Sequence, residues 1–229
     1  MPFDPIPYTI RGDNLFTSLL LICMIVFAVS VSNTRQFVLR QLKDFFYQPL
    51  GSRNMSETTG ELRFQFFLVL LGCLLLSIST FIYVNDYMSE NYLLENYQMV
   101  AVFFSVFLGY ILLKGVLYEI VNNVFFHHTA VVAWRKSALF LTALEGLLFF
   151  PIVLLQVYFD LSFENAVLYY GFVLFFSKIL TFYKCWSIFF RQIDVFFQNI
   201  LYFCTLEIVP LLILGGGMKV LIDVLKINF

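Results

Sequence analysis

The sequence predicts an all-α membrane protein: a polytopic bundle of about six transmembrane helices, with an interfacial amphipathic helix in the first cytoplasmic loop. Three observations predict it. The 229 residues are 61% hydrophobic and only 13% charged, where a soluble domain has about 45–50% and about 25%. The apolar residues gather into stretches of about 20, the length that crosses a bilayer as a helix. Those stretches show no period-two alternation, which excludes a β-barrel. Helices then remain as the structure that pairs every backbone group in hydrocarbon.

Six segments qualify as spans: about Asn14–Val31, Phe64–Val84, Met99–Val121, Ser137–Tyr158, Asn165–Phe189 and Ile193–Leu214. No long linker and no internal repeat divides them, so residues 1–229 read as a single integral-membrane domain. The leading "MPFDPIPYTIRGDN" is acidic and proline-rich, a poor signal-peptide start, so the first segment is expected to stay as an anchor.

Orientation follows the basic residues of the loops. The first loop holds Arg35, Arg40, Lys43, Arg53 and Arg63, the third Arg135 and Lys136, and the fifth Lys184 and Arg191. The second and fourth hold none. Odd loops are thus expected inside and both termini outside.

Within the first loop, Val38, Leu42, Phe45 and Phe46 recur at helical spacing, with Gln36, Arg40 and Lys43 on the other side. Together with Arg35 these form a basic membrane-surface helix suited to an anionic leaflet, or a plain helix packed under the bundle. Thr58 and Glu61 have capping-box spacing ahead of the second span. Gly215–Gly217 is expected to end the sixth helix and bend the chain into "MKVLIDVLKINF". That tail would lay Val220, Leu221, Val224 and Leu225 on the outer surface.

Several chemistries are disfavoured. A net charge of −1 speaks against nucleic-acid binding. Cys23, Cys73, Cys185 and Cys204 form no CxxC pair and read as small buried hydrophobes, so neither a metal site nor a disulfide framework is expected. The two histidines, His127 and His128, are adjacent at one end of a span, a poor arrangement for haem. No nucleophile with a base and no phosphate loop is visible, so no catalytic residue and no cofactor is predicted.

What stands out are charges inside apolar segments: Lys114, Glu119, Glu145, Lys178, Asp194 and Glu207. Each costs about 2.5–3.5 kcal/mol at a helix centre on insertion scales and so should face the bundle interior. Glu119 and Asp194 sit near span ends and read as boundary residues. Lys114 and Glu145 have similar depth on consecutive spans, which makes them the leading expected pair. Tyr110, Lys114 and Tyr118 share a face. Lys178 and Glu207 lie near the middle of spans joined by a short loop and form a second possible pair. An unpaired Glu207 would instead be protonated, because burial disfavours the charged form. Pro210 leaves the carbonyl of Leu206 without its donor, beside Glu207, and predicts a helix kink. Pro151, six residues after Glu145, repeats the arrangement less closely. Such a carboxylate is either a lock between helices or a cation or proton site.

The stretch "ILYFCTLEIVPLLIL" resembles the C-terminal LYxCxLEIxPLL signature of a family of Bacteroidota integral-membrane proteins of unknown function. Tyr202, Cys204, Leu206, Glu207 and Pro210 carry the likeness, and "GGGM" after it departs from the basic residue expected there. The resemblance implies a multi-pass protein of the bacterial inner membrane, both termini then periplasmic, and assigns no activity. Taken together, the sequence points first to a non-enzymatic accessory or scaffold subunit of an envelope complex, with the lipid bilayer and other membrane or envelope proteins as partners. The alternative is a small proton-coupled or small-molecule transporter using Lys114, Glu145, Lys178 and Glu207. A weaker one is a lipid-modifying membrane enzyme.

Overall fold

A computed structural model describes residues 17–29, 59–88, 95–159, 161–189 and 196–225. The described chain is helical almost throughout, with no strand among those residues. Helix α1 covers Thr17–Val29. At about 1.5 Å per residue it reaches roughly 20 Å of a hydrocarbon core about 30 Å thick. The rest of the expected first span, the basic helix with Arg35, Arg40 and Lys43, and the Thr58 cap lie outside the described residues.

Four long helices follow: α2 (Thr59–Met88), α3 (Asn96–Phe125), α4 (His128–Tyr158) and α5 (Phe163–Phe189). The chain closes with a continuous helical rod: α6 (Phe196–Phe203), a π-helical turn (Cys204–Ile208) and α7 (Val209–Leu225). Helices α2 to α5 and the rod are each long and apolar enough to cross a membrane, so the protein is a multi-pass, all-α membrane protein.

Helix α2 is the axis. It packs on α4 and α3, and α4 packs in turn on α5. Of its apolar window 67% is buried, against 17% for α3 and 11% for the rod. Most of the surface of α3 and the rod is therefore left to lipid, which is as apolar as leucine and drives no helix association by itself. Close packing must do that work, and glycine permits it. A Cβ added at Gly146 would stand 2.6 Å from the Leu68 carbonyl oxygen, and one at Gly72 2.7 Å from the Gly146 Cα. The α2 and α4 backbones thus touch where both helices lack side chains. Leu75, Ile78, Phe81, Val84, Phe149 and Val153 interlock along the same seam. Near its far end Ser79 of α2 and Tyr170 of α5 both donate to Gln156 Oε1 of α4, at 2.9 and 3.0 Å.

Two boundaries differ from expectation. Helix α4 begins at His128 and not near Ser137, because Val131 and Trp134 are buried ahead of the Arg135–Lys136 pair and extend the packed face. The rod does not stop at Gly215–Gly217 but runs helically through them to Leu225. In hydrocarbon a broken helix would strand backbone groups with no water to bond them, which outweighs the roughly 1 kcal/mol per glycine against helix. The segment after the glycines is accordingly no separate surface strip. Ile222 is buried in the main core, with Met218, Leu221 and Leu225 against it, while Val220 and Val224 face outward. Helix α4 also passes through Pro151 without interruption. There the proline removes the donor to the Leu147 carbonyl, and Tyr169 of α5 donates to the adjacent Leu148 carbonyl at 3.0 Å.

Candidate functional site

The site begins with the backbone of the rod. Pro210 has no N–H, so the α-helical bond to Leu206 cannot form. The turn before it widens: the Val209 N–H reaches back to the Cys204 carbonyl, five residues away. Such single π turns recur at functional positions. Glu207 sits inside this turn, 1% exposed, and is carried towards α3 and α5.

Three donors meet it there. Lys114 Nζ of α3 and Lys178 Nζ of α5 both donate to Oε2, at 2.7 and 2.8 Å. The Tyr118 hydroxyl of α3 donates to Oε1. Lys114 and Tyr118 are one helical turn apart and so reach the carboxylate together. The Lys114 ammonium also lies 5.8 Å from the centre of the Tyr118 ring, within cation–π range. On the other side, Lys178 stands 3.8 Å from Glu145 Oε1 of α4, and the neighbouring Ser177 hydroxyl donates to that same oxygen. Two lysines and two glutamates therefore close a cluster of zero formal charge drawn from four elements. Neutrality and direct hydrogen bonding are what allow charges to stay inside a bilayer.

The geometry corrects one expectation and extends another. The Lys114–Glu145 pair does not form; Lys114 binds Glu207. Depth along the helices made the expected pair equally reasonable, but α3 lies chiefly on α2 while α4 lies along α5, which turns Glu145 towards Ser177 and Lys178. Lys178 does meet Glu207, in a triad with Lys114. The structure thus brings Lys114, Glu145, Lys178 and Glu207 into one group, with Pro210 next to it and Pro151 outside it. Glu119 is separate and exposed, bonded to Arg135 at 2.5 Å and Asn123 at 2.9 Å. Ser177 was not singled out from sequence, although a serine beside a lysine in an apolar span is a visible signal.

Between the cluster and the α3–α4 end of the bundle lies an aromatic layer. Trp134 lies 5.2 Å from the Tyr118 ring and 5.5 Å from Phe189, and Phe126 lies 4.1 Å from Phe189. Tyr202 of the rod joins it and donates to Asn122 Oδ1 at 2.5 Å. Cys185 is buried in this layer as a free thiol. Among the described residues no group of three or more His, Cys, Asp or Glu side chains is placed to hold a metal ion. Chemically the cluster can clamp: both oxygens of Glu207 are occupied, and its partners stand on helices that otherwise touch the rod only lightly.

No curated protein and no solved structure matches the sequence. A family profile described as "Domain of unknown function (DUF4271)" matches residues 16–218. That range takes in every helix named above except the last turns of the rod, and the whole charge cluster. The chain belongs to this family, the Domain of unknown function (DUF4271) family.

Proposed function

We propose that the protein is a non-enzymatic accessory or scaffold subunit of a bacterial envelope complex, resident in the inner membrane with both termini periplasmic. The observation that carries the reading is the saturation of Glu207. A carboxylate whose oxygens hold two ammonium groups and a phenol is built to fix the rod to the bundle. The rod then displays a long apolar face, with Leu212, Ile213, Val220 and Val224 all more than 60% exposed, to lipid or to a partner's helices. The basic residues Arg35, Arg40 and Lys43 would meet the cytoplasmic leaflet or a soluble partner.

Native mass spectrometry after extraction in mild detergent tests this. The expected result is a stoichiometric membrane partner, retained at reduced thermal stability in Glu207→Gln. A solitary protein that drives pH-dependent flux in liposomes, with the flux lost in Glu207→Gln, would replace the scaffold by the transporter reading.

A further inference from the structure

The charge cluster satisfies its own polar atoms, but the line of side chains leading to it does not. Asn199, on α6, is completely buried, and neither its amide oxygen nor its amide nitrogen has a hydrogen-bond partner. Asn199 stands one turn before Tyr202 and two before Leu206 on the same face of the rod, and both of those residues belong to the aromatic layer. The Trp134 indole N–H, 1% exposed and in the same layer, is likewise unpartnered. Beyond the cluster, the buried Tyr110 hydroxyl, one turn from Lys114 on α3, has no partner either. Between these points the polar atoms are paired in sequence: Tyr202 to Asn122, then Tyr118 to Glu207. From the level of Asn122 to that of Tyr110 the line covers about 18 Å along α3.

Orphaned amide, indole and phenol groups are costly in any protein interior and more so in hydrocarbon. Buried water is the usual partner of such groups, binding where several polar atoms converge. An amide offers both a donor and an acceptor and an indole offers a donor, so the group that satisfies the Asn199 amide must both accept and donate. Water does, and a carboxylate or a cation does not.

We propose that bound water occupies a polar track from the α3–α4 end of the bundle, past Asn199, Trp134 and Tyr202, to the Glu207 cluster and on to Tyr110. This goes beyond the scaffold reading and does not depend on it. A hydrated lock is reachable from one side of the membrane, so water and protons have access to Glu207 from that side, whereas the α2–α4 seam stays dry.

Hydroxyl-radical footprinting of the intact protein in lipid nanodiscs reads this directly, because radicals form from water already beside the labelled side chain. After correction for intrinsic reactivity, Trp134 is expected to oxidise severalfold faster than Phe81 and Phe103, which are as deeply buried in the apolar core. Asn199→Leu should lower labelling at Trp134 and Tyr202 severalfold while exposed Tyr97 is unchanged. Labelling of Trp134 no faster than that of Phe103 overturns the track. So does unchanged labelling in a folded Asn199→Leu protein. If that variant does not fold, the comparison within the wild-type protein decides alone.

Discussion

The α2–α4 seam and the C-terminal rod solve the same problem by opposite means. The seam contains no charge, and its backbones meet at Gly72 and Gly146 so closely that no side chain fits between them. Its contacts are numerous, short-ranged and individually weak, the kind of packing that associates helices when lipid offers no hydrophobic drive. The rod is the least buried span, and the strongest contacts recorded for it pass through one carboxylate. Dispersion spread over a surface tolerates the loss of any one methyl group. A clamp on one residue does not, because removing Glu207 strips Lys114 of its ion-pair partner and leaves Lys178 only Glu145, 3.8 Å away. The comparison separates a region specified by shape from one specified by charge, and each should fail in its own way.

Two effects should be the largest, and the first falls where shape is least forgiving. Gly146→Leu drives a side chain into the Leu68 carbonyl and should force α2 from α4, costing about 3 kcal/mol or more. Unfolding in mixed micelles by titrated dodecyl sulfate would show it, and wild-type stability would mean the two backbones are not in contact. Glu207→Ala should cost about 3–5 kcal/mol, as for breaking one side of a buried ion pair. Here the damage should be local: amide exchange should quicken along the rod, residues 196–225, and stay slow in α2. Equal quickening in both would erase the distinction between the regions. Smaller again is Ser79→Ala, which removes one of two donors to Gln156 and should cost about 0.6 kcal/mol, the usual worth of a hydrogen bond between membrane helices. The smallest change has the opposite sign. Nothing lies within 4 Å of a Cβ built at Gly216, so Gly216→Ala should stabilise the rod by up to about 1 kcal/mol. A loss there would mean that another helix approaches the glycine face.

The same contrast governs what could be read from the sequence. Spans two to five were legible because hydropathy is a sum over about 20 residues and survives errors at the ends. Their ends were less so. Arg135 and Lys136 look like loop residues, yet they lie in the third turn of α4, and only packing of Trp134 shows why. The triple glycine reads as a terminator under rules drawn from water, and the membrane suspends those rules. For the cluster, cost alone marked Lys114, Glu145, Lys178 and Glu207 as inward-facing. Which base meets which acid depends on how four helices are arranged around one another, and a depth count along each helix carries no such information. Pro210 pointed to disturbed backbone at Glu207, though not to a π turn. The Gly72–Gly146 contact left no trace that distinguishes it from Gly109, Gly115 or Gly171, beside which a Cβ would meet nothing within 4 Å.

The central claim is that Glu207 binds the rod to the bundle through the lysines, and a double-mutant cycle between Lys114 and Glu207 tests it most directly. Unfolding free energies of Lys114→Met, Glu207→Gln and the double variant would be compared with the wild type. The account predicts that the double variant is more stable than the sum of the two losses implies, with a coupling of about 1 kcal/mol or more, as found for residues in one ionic network. Additive losses, with no coupling beyond error, would contradict it.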